Sequence, residues 1–173
     1  MNFRFVLTHI IEFARAQGYS IAVVGGFGLH AYGFSRVTYD LDFVTEVEIQ
    51  ASLVSFMESL GYETLYRSEG YSNHLHPQTE MGRVDFVYVR GESSRKIFAR
   101  AKEKIIIDEV GAPVPRPEHL IAMKVQAMKI DPQRIQHELS DIRLLLSLEG
   151  VDRQEVRDYF VRAGMEGRFD ELE

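Results

Sequence analysis

Two aspartates spaced by two, Asp40 and Asp42, open the run DLDFVT, whose aromatic and β-branched residues predict a strand over about 39–45. On a strand, residues i and i+2 point to the same face, so the two carboxylates stand side by side. Like charges that close repel and lose water on folding, which is costly unless something cationic sits between them. A divalent metal ion is the simplest such partner, because hard cations prefer oxygen ligands. A third carboxylate, Asp85, interrupts the otherwise apolar strand RVDFVYV (83–89), where a lone buried charge also calls for a partner. Plainer readings stay open: Asp40 and Asp42 could flank a turn, and the glycine pair Gly25-Gly26 upstream could simply be a tight turn.

The elements that must position these residues follow in order. Phe5, Leu7, Ile10, Ile11 and Ala14 recur at helical spacing, with Gly18 as a stop. A first strand over 20–24 leads into Gly25-Gly26, then a short helix (27–32) closed by Gly33, then the aspartate strand. The segment 48–60 reads as an amphipathic helix ending at Gly61. Short strands are expected at 62–67 and 72–76, one rich in β-branched and aromatic residues at 83–89, a short helix at 94–101 and an apolar strand at 104–108. The alternating prolines of 110–117 exclude helix and read as an extended seam. Three helices follow. They span 117–129 with Pro117 in the first turn, 132–148 with Asp131 as N-cap, and 153–163 with Asp152 and Glu155 as a capping box and Gly164 as the stop. The expected class is α/β (α+β): a mixed sheet flanked by helices over 1–112 and a helical segment over 113–173 packed on it.

Composition narrows the functional classes. A 173-residue chain with 45% apolar and 27% charged residues is that of an ordinary globular domain. It has no cysteine, which removes disulfides and thiolate metal sites. No apolar run approaches the roughly 20 residues that span a bilayer, and the N-terminus reads as an amphipathic helix rather than a signal peptide. The expectation is a cytoplasmic protein with no membrane partner. The net charge of −6 argues against broad, non-specific nucleic-acid binding, though a local basic patch could still serve a specific RNA end.

Gly25-Gly26, then Asp40-x-Asp42, then a later strand carrying Asp85 resembles the active-site signature of the nucleotidyltransferase superfamily, the DNA polymerase β-like fold. The version with GG, R-x-T-x-D-L-D and a helical tail bearing Lys and Asp is most similar to the AbiEii-type enzymes of bacterial toxin–antitoxin systems and their small relatives. Many members carry Gly-Ser where this chain has Gly25-Gly26, so a serine contact to phosphate must come from elsewhere or from backbone N–H groups. The resemblance implies transfer of NMP from an NTP to an acceptor hydroxyl, with Mg²⁺ or Mn²⁺ held by Asp40, Asp42 and Asp85. Asp85 would also help to deprotonate the acceptor. Gly25 and Gly26 would let backbone amides approach the triphosphate. Arg36 and Thr38 would contact phosphate or shape the loop, although Arg36 is equally suited to a structural salt bridge.

In the helical segment, Lys124 lies among Ile121, Met123 and Met128 and needs an anion or a route to solvent. By the resemblance it reaches the triphosphate, with Asp141 orienting it; a Lys124–Asp141 ion pair stapling two helices is the compatible alternative. His74 and His76 are expected on a surface strand or at the acceptor side rather than in a zinc site, within a polar segment 62–82 that also holds Arg67 and Arg83. Tyr32, Tyr39 and Tyr71 are candidates to stack a base. The implied partners are an NTP, an acceptor that could be tRNA, protein or a small molecule, and an antitoxin. Two other readings stand beside this one. The first is an antibiotic nucleotidyltransferase with an acidic pocket for a cationic drug. The second is a non-catalytic binding module of the same fold, against which the three retained carboxylates argue.

Overall fold

The computed structural model describes residues 2–172. The chain divides into two compact units, one running to Pro115 and the other from Arg116. The first unit begins with α1 (Phe3–Ala16), capped by the Asn2 side chain, whose buried stripe is Val6, Leu7, Ile10, Ile11 and Ala14. Then come β1 (Ile21–Val23), α2 (Gly25–His30), β2 (Asp40–Glu46), a 3₁₀ turn and α3 (Gln50–Ser59). Strands β3 (Glu63–Arg67), β4 (Tyr71–Leu75) and β5 (Arg83–Val89) follow, then α4 (Gly91–Ala99), β6 (Lys102–Ile107) and β7 (Val110–Val114).

Five strands form one sheet in the order β1-β2-β5-β4-β3, and only the β2–β5 pair is parallel among the described residues. Alternation gives the sheet two unlike faces. Leu41, Phe43 and Thr45 of β2, Val84, Phe86 and Tyr88 of β5, and Ser72 and His74 of β4 are all buried and share one face. Phe43 stacks on Phe86 with centroids 5.5 Å apart. The core combines this face with the apolar stripes of α1 and α3, which meet where Phe13 stacks on Phe56 at 4.1 Å. The opposite face carries Asp40 and Asp42 on β2, Arg83 and Asp85 on β5, and Tyr71, Asn73 and Leu75 on β4.

Two expectations change here. The extended stretch after 110 is a strand, β7, paired antiparallel with β6 in a separate two-stranded sheet. Asp108 and Glu109 turn that hairpin with positive φ at both residues (45° and 67°), the two-residue geometry that usually recruits Asn-Gly or Asp-Gly. His74 is fully buried, not on the surface or the acceptor side. The period-2 alternation of β4 puts Ser72 and His74 inward, and Thr64 and Ser72 satisfy both ring nitrogens at 3.2 and 2.9 Å.

The second unit holds α5 (Pro117–Ile130), a 3₁₀ turn (Pro132–Arg134), α6 (Ile135–Leu146), α7 (Arg153–Ala163) and α8 (Glu166–Asp170). Asp131 caps the 3₁₀ turn through Gln133 N, so the helix expected from 132 starts at Ile135. Asp152 caps α7 by accepting from Glu155 N at 3.0 Å, and Gly164 ends it with φ 73°. The reciprocal arm of the capping box is not Glu155. Glu118 Oε1 accepts from Asp152 N at 2.8 Å, while the Glu155 carboxylate binds Arg116 and the Tyr159 hydroxyl. An arginine within reach outbids the local cap, because a charge-assisted bond is about twice as strong as a neutral one.

Candidate active site

Adjacent strands lie about 4.8 Å apart, and the parallel register sets Asp42 opposite Asp85 and Asp40 opposite Arg83. Asp40, Asp42 and Asp85 each offer a carboxylate oxygen, and these oxygens all lie within 4.8 Å of one another. Asp85 is buried and the other two are half-buried. Thr38 Oγ1 donates to Asp40 Oδ1 at 2.8 Å. Asp85 has both oxygens engaged: Oδ2 accepts from the Tyr71 hydroxyl at 2.6 Å, and Oδ1 from Arg83 Nε at 2.8 Å. Burial, then the bond to Asp85, pushes the Tyr71 hydroxyl up to about 12. The same carboxylate holds the Arg83 guanidinium well above its ordinary value. At neutral pH Tyr71 is therefore a phenol donor and Arg83 a cation.

The paired glycines belong to this cluster for a steric reason. Gly25 has φ +59°, and a Cβ there would sit 1.9 Å from Asp42 Oδ2. A Cβ on Gly26 would meet Thr38 Oγ1 at 2.6 Å. The cradle at the start of α2 is thus filled by the side chains of Asp42 and Thr38, which only glycine leaves room for. Between α2 and β2, His30 Nε2 lies 3.1 Å from Arg36 N and 2.5 Å from Arg36 O, which pins the loop. His30, Gly33, Phe34, Ser35, Arg36 and Val37 line an open depression beside the segment that runs on into Thr38 and Asp40. Arg36 and Asp42 are both engaged within the protein.

The first unit therefore brings together Gly25, Gly26, Thr38, Asp40, Asp42 and Asp85, with Arg36 on the bordering loop. Lys124 and Asp141 meet in the second unit, where Lys124 Nζ lies 2.5 Å from Asp141 Oδ2 and 2.9 Å from Glu138 Oε2. Arg134 reaches the other Glu138 oxygen at 2.6 Å. His137, Glu138 and Asp141 could also gather ligand atoms within 4.8 Å, but the Lys124 ammonium already serves that pair of acids. Of the three tyrosines offered as base platforms, Tyr71 spends its hydroxyl on Asp85 and Tyr32 donates to Pro115 O, while Tyr39 is exposed.

Sequence reasoning missed the partnership of Arg83 and Tyr71 with Asp85, and Glu138 beside Lys124. A signal existed for Arg83, two residues before Asp85 on one strand, and for Glu138, three before Asp141 on one helix. Tyr71 had none, since its place depends on cross-strand register. An all-carboxylate donor set fits a hard divalent cation such as Mg²⁺ or Mn²⁺. One donor per oxygen at Asp85 leaves each oxygen a further lone pair.

Solved structures share this fold. The antibiotic-resistance factor ANT(2'')-Ia in solution aligns over 99% of this chain and 96% of its own, at 16% identity and a TM-score of 0.68. The chain has the nucleotidyltransferase fold. ANT(2'')-Ia in complex with adenylyl-2''-tobramycin aligns over 97% of this chain and 99% of its own, at 15% identity and a TM-score of 0.67. The lincosamide antibiotic adenylyltransferase LnuA, bound to lincomycin, aligns over 82% and 95%, at 12% identity and a TM-score of 0.53. No family profile and no curated protein matches the sequence. No helix among the described residues is long and apolar enough to cross a membrane.

Proposed function

We propose that the protein is a metal-dependent nucleotidyltransferase that moves NMP from an NTP to a hydroxyl of a small-molecule acceptor. The observation that carries this reading is the convergence of Asp40, Asp42 and Asp85 on the sheet face opposite Phe43 and Phe86, in the nucleotidyltransferase fold. A cluster of carboxylates that loses water on folding is retained where it has a cation to bind. Asp40, Asp42 and Asp85 would hold Mg²⁺ or Mn²⁺, which when bound offsets charge on the attacking and leaving oxygens. The acceptor oxygen bonds to the α-phosphorus, the bond to the bridging oxygen breaks, and pyrophosphate leaves. Asp85 takes the acceptor proton. Thr38 orients Asp40, and Gly25 and Gly26 leave Asp42 and Thr38 the space they occupy. Arg36 is assigned to phosphate, from the loop at the mouth of the site. Lys124 and Asp141 form their ion pair within the second unit.

The acceptor reading follows the antibiotic-resistance factor ANT(2'')-Ia, which aligns along nearly the whole of both chains and is also known in complex with adenylyl-2''-tobramycin. A toxin–antitoxin role of the AbiEii kind, acting on tRNA or protein, has no comparable support. The test is calorimetric titration of the four NTPs with and without Mg²⁺, for wild type and Asp42→Asn, followed by pyrophosphate release with a panel of aminoglycosides and lincosamides. Metal-dependent binding of at least one NTP, lost in Asp42→Asn, is expected. Binding of none would replace the enzyme by a non-catalytic module.

A further inference from the structure

Arg83 and Asp85 stand two apart on β5 and share a face, so the guanidinium could close on both carboxylate oxygens in the planar, two-bond fork that arginine and carboxylate favour. It does not. Nε takes Oδ1 at 2.8 Å, but the neighbouring Nη2 goes to the Tyr71 hydroxyl at 3.4 Å, and that hydroxyl takes Oδ2 at 2.6 Å. The phenol is wedged into the fork. Its position follows from register: on β4, Asn73 pairs with Asp85 and Tyr71 with Val87, so Tyr71 lies diagonal to Asp85 on the same face. We propose that Tyr71 is a positioning residue that keeps the Arg83–Asp85 pair single-bonded, so that the Asp85 carboxylate stays turned toward Asp42 and available to metal and acceptor.

The inference rests on the reading that Asp85 serves metal and acceptor, and goes beyond it by naming what keeps Asp85 available. Removing the hydroxyl in Tyr71→Phe frees Oδ2 for Arg83, which closes the fork and withdraws Asp85. Lysine is a point charge with no fork, so Arg83→Lys in the Tyr71→Phe background cannot close it.

Two measurements decide the matter. Mn²⁺ alone is titrated into wild type, Tyr71→Phe, Tyr71→Phe/Arg83→Lys and Asp42→Asn, and the arginine side-chain ¹⁵N–¹H resonances are followed in wild type and Tyr71→Phe. Tyr71→Phe should weaken Mn²⁺ by about tenfold or more, the usual cost of losing a group that orients a metal ligand. The double variant should recover most of that loss. The Arg83 Nη signals should shift and slow as the second bond forms. Unchanged Arg83 resonances, or a double variant as weak as Tyr71→Phe, overturns the proposal. If wild type and Asp42→Asn bind Mn²⁺ alike, the metal reading fails, while the Arg83 resonances still decide the role of Tyr71.

Discussion

Gly25 decides where Asp42 can be. Its φ of +59° is one that a residue with Cβ adopts at a cost, and any Cβ would also occupy the space of the Asp42 carboxylate. Gly25→Ala should therefore destabilise the fold by about 1–3 kcal/mol and displace Asp42, so that Mn²⁺ binding falls as far as in Asp42→Asn. Urea melts and a Mn²⁺ titration of the same preparation check both halves. Thr38→Val, which removes the donor to Asp40 without changing side-chain size, should leave stability within about 1 kcal/mol while weakening Mn²⁺. At this scale the carboxylate cluster was legible and its neighbours were not. Spacing alone places Asp40 and Asp42 on one face and asks for a partner for Asp85. The glycine pair can be read as a turn, but which side chain fills the space it leaves depends on contacts that no local pattern encodes.

At the scale of elements, the strands bearing the carboxylates could be read from composition and alternation, and the glycines and capping residues that end the helices could be read directly. The sequence pattern failed where tertiary partners overrode it. The turn of β6 and β7 lacks the glycine that marks such turns, and the polar look of 62–82 hid which way its second strand faces: Ser72 and His74 of β4 turn inward, polar but mutually bonded. Burial of His74 has a consequence for stability. It lowers the ring below its ordinary 6.5, against weaker opposing pulls from Asp85 and Glu58. The unfolded chain then takes up the proton first. Stability is unaffected above pH 6.5 and falls as pH drops below it, by up to about 1.4 kcal/mol per unit from this group. His74→Gln should flatten the profile of unfolding free energy between pH 5 and 7, read from urea melts. In the second unit, Lys124→Met removes the cation between Glu138 and Asp141 and should cost about 3–5 kcal/mol. Asp141→Asn in the same chain should restore part of it, which denaturation of the two variants would measure.

At the scale of the whole molecule, charge bears on the acceptor. The chain carries 26 acidic against 20 basic residues, and three of the acids are gathered on one face of the sheet. A field of that sign repels a polyanion such as tRNA and draws a polycation, and its reach shrinks from about 30 Å at 0.01 M salt to about 10 Å at 0.1 M. Bound metal and NTP offset only part of it, since an NTP brings its own negative charge. A polyamine-bearing acceptor should therefore show a KM that rises steeply with ionic strength while kcat holds, because the field acts on encounter and not on the bond being made. An uncharged hydroxylated acceptor should show a flat KM over the same range. The measurement is the KM for an aminoglycoside and for an uncharged polyol acceptor, at matched Mg²⁺ and NTP, across a salt series. An aminoglycoside KM that stays flat or falls as salt rises would mean that this field does not draw the acceptor, and would remove charge as a reason to prefer a polycation.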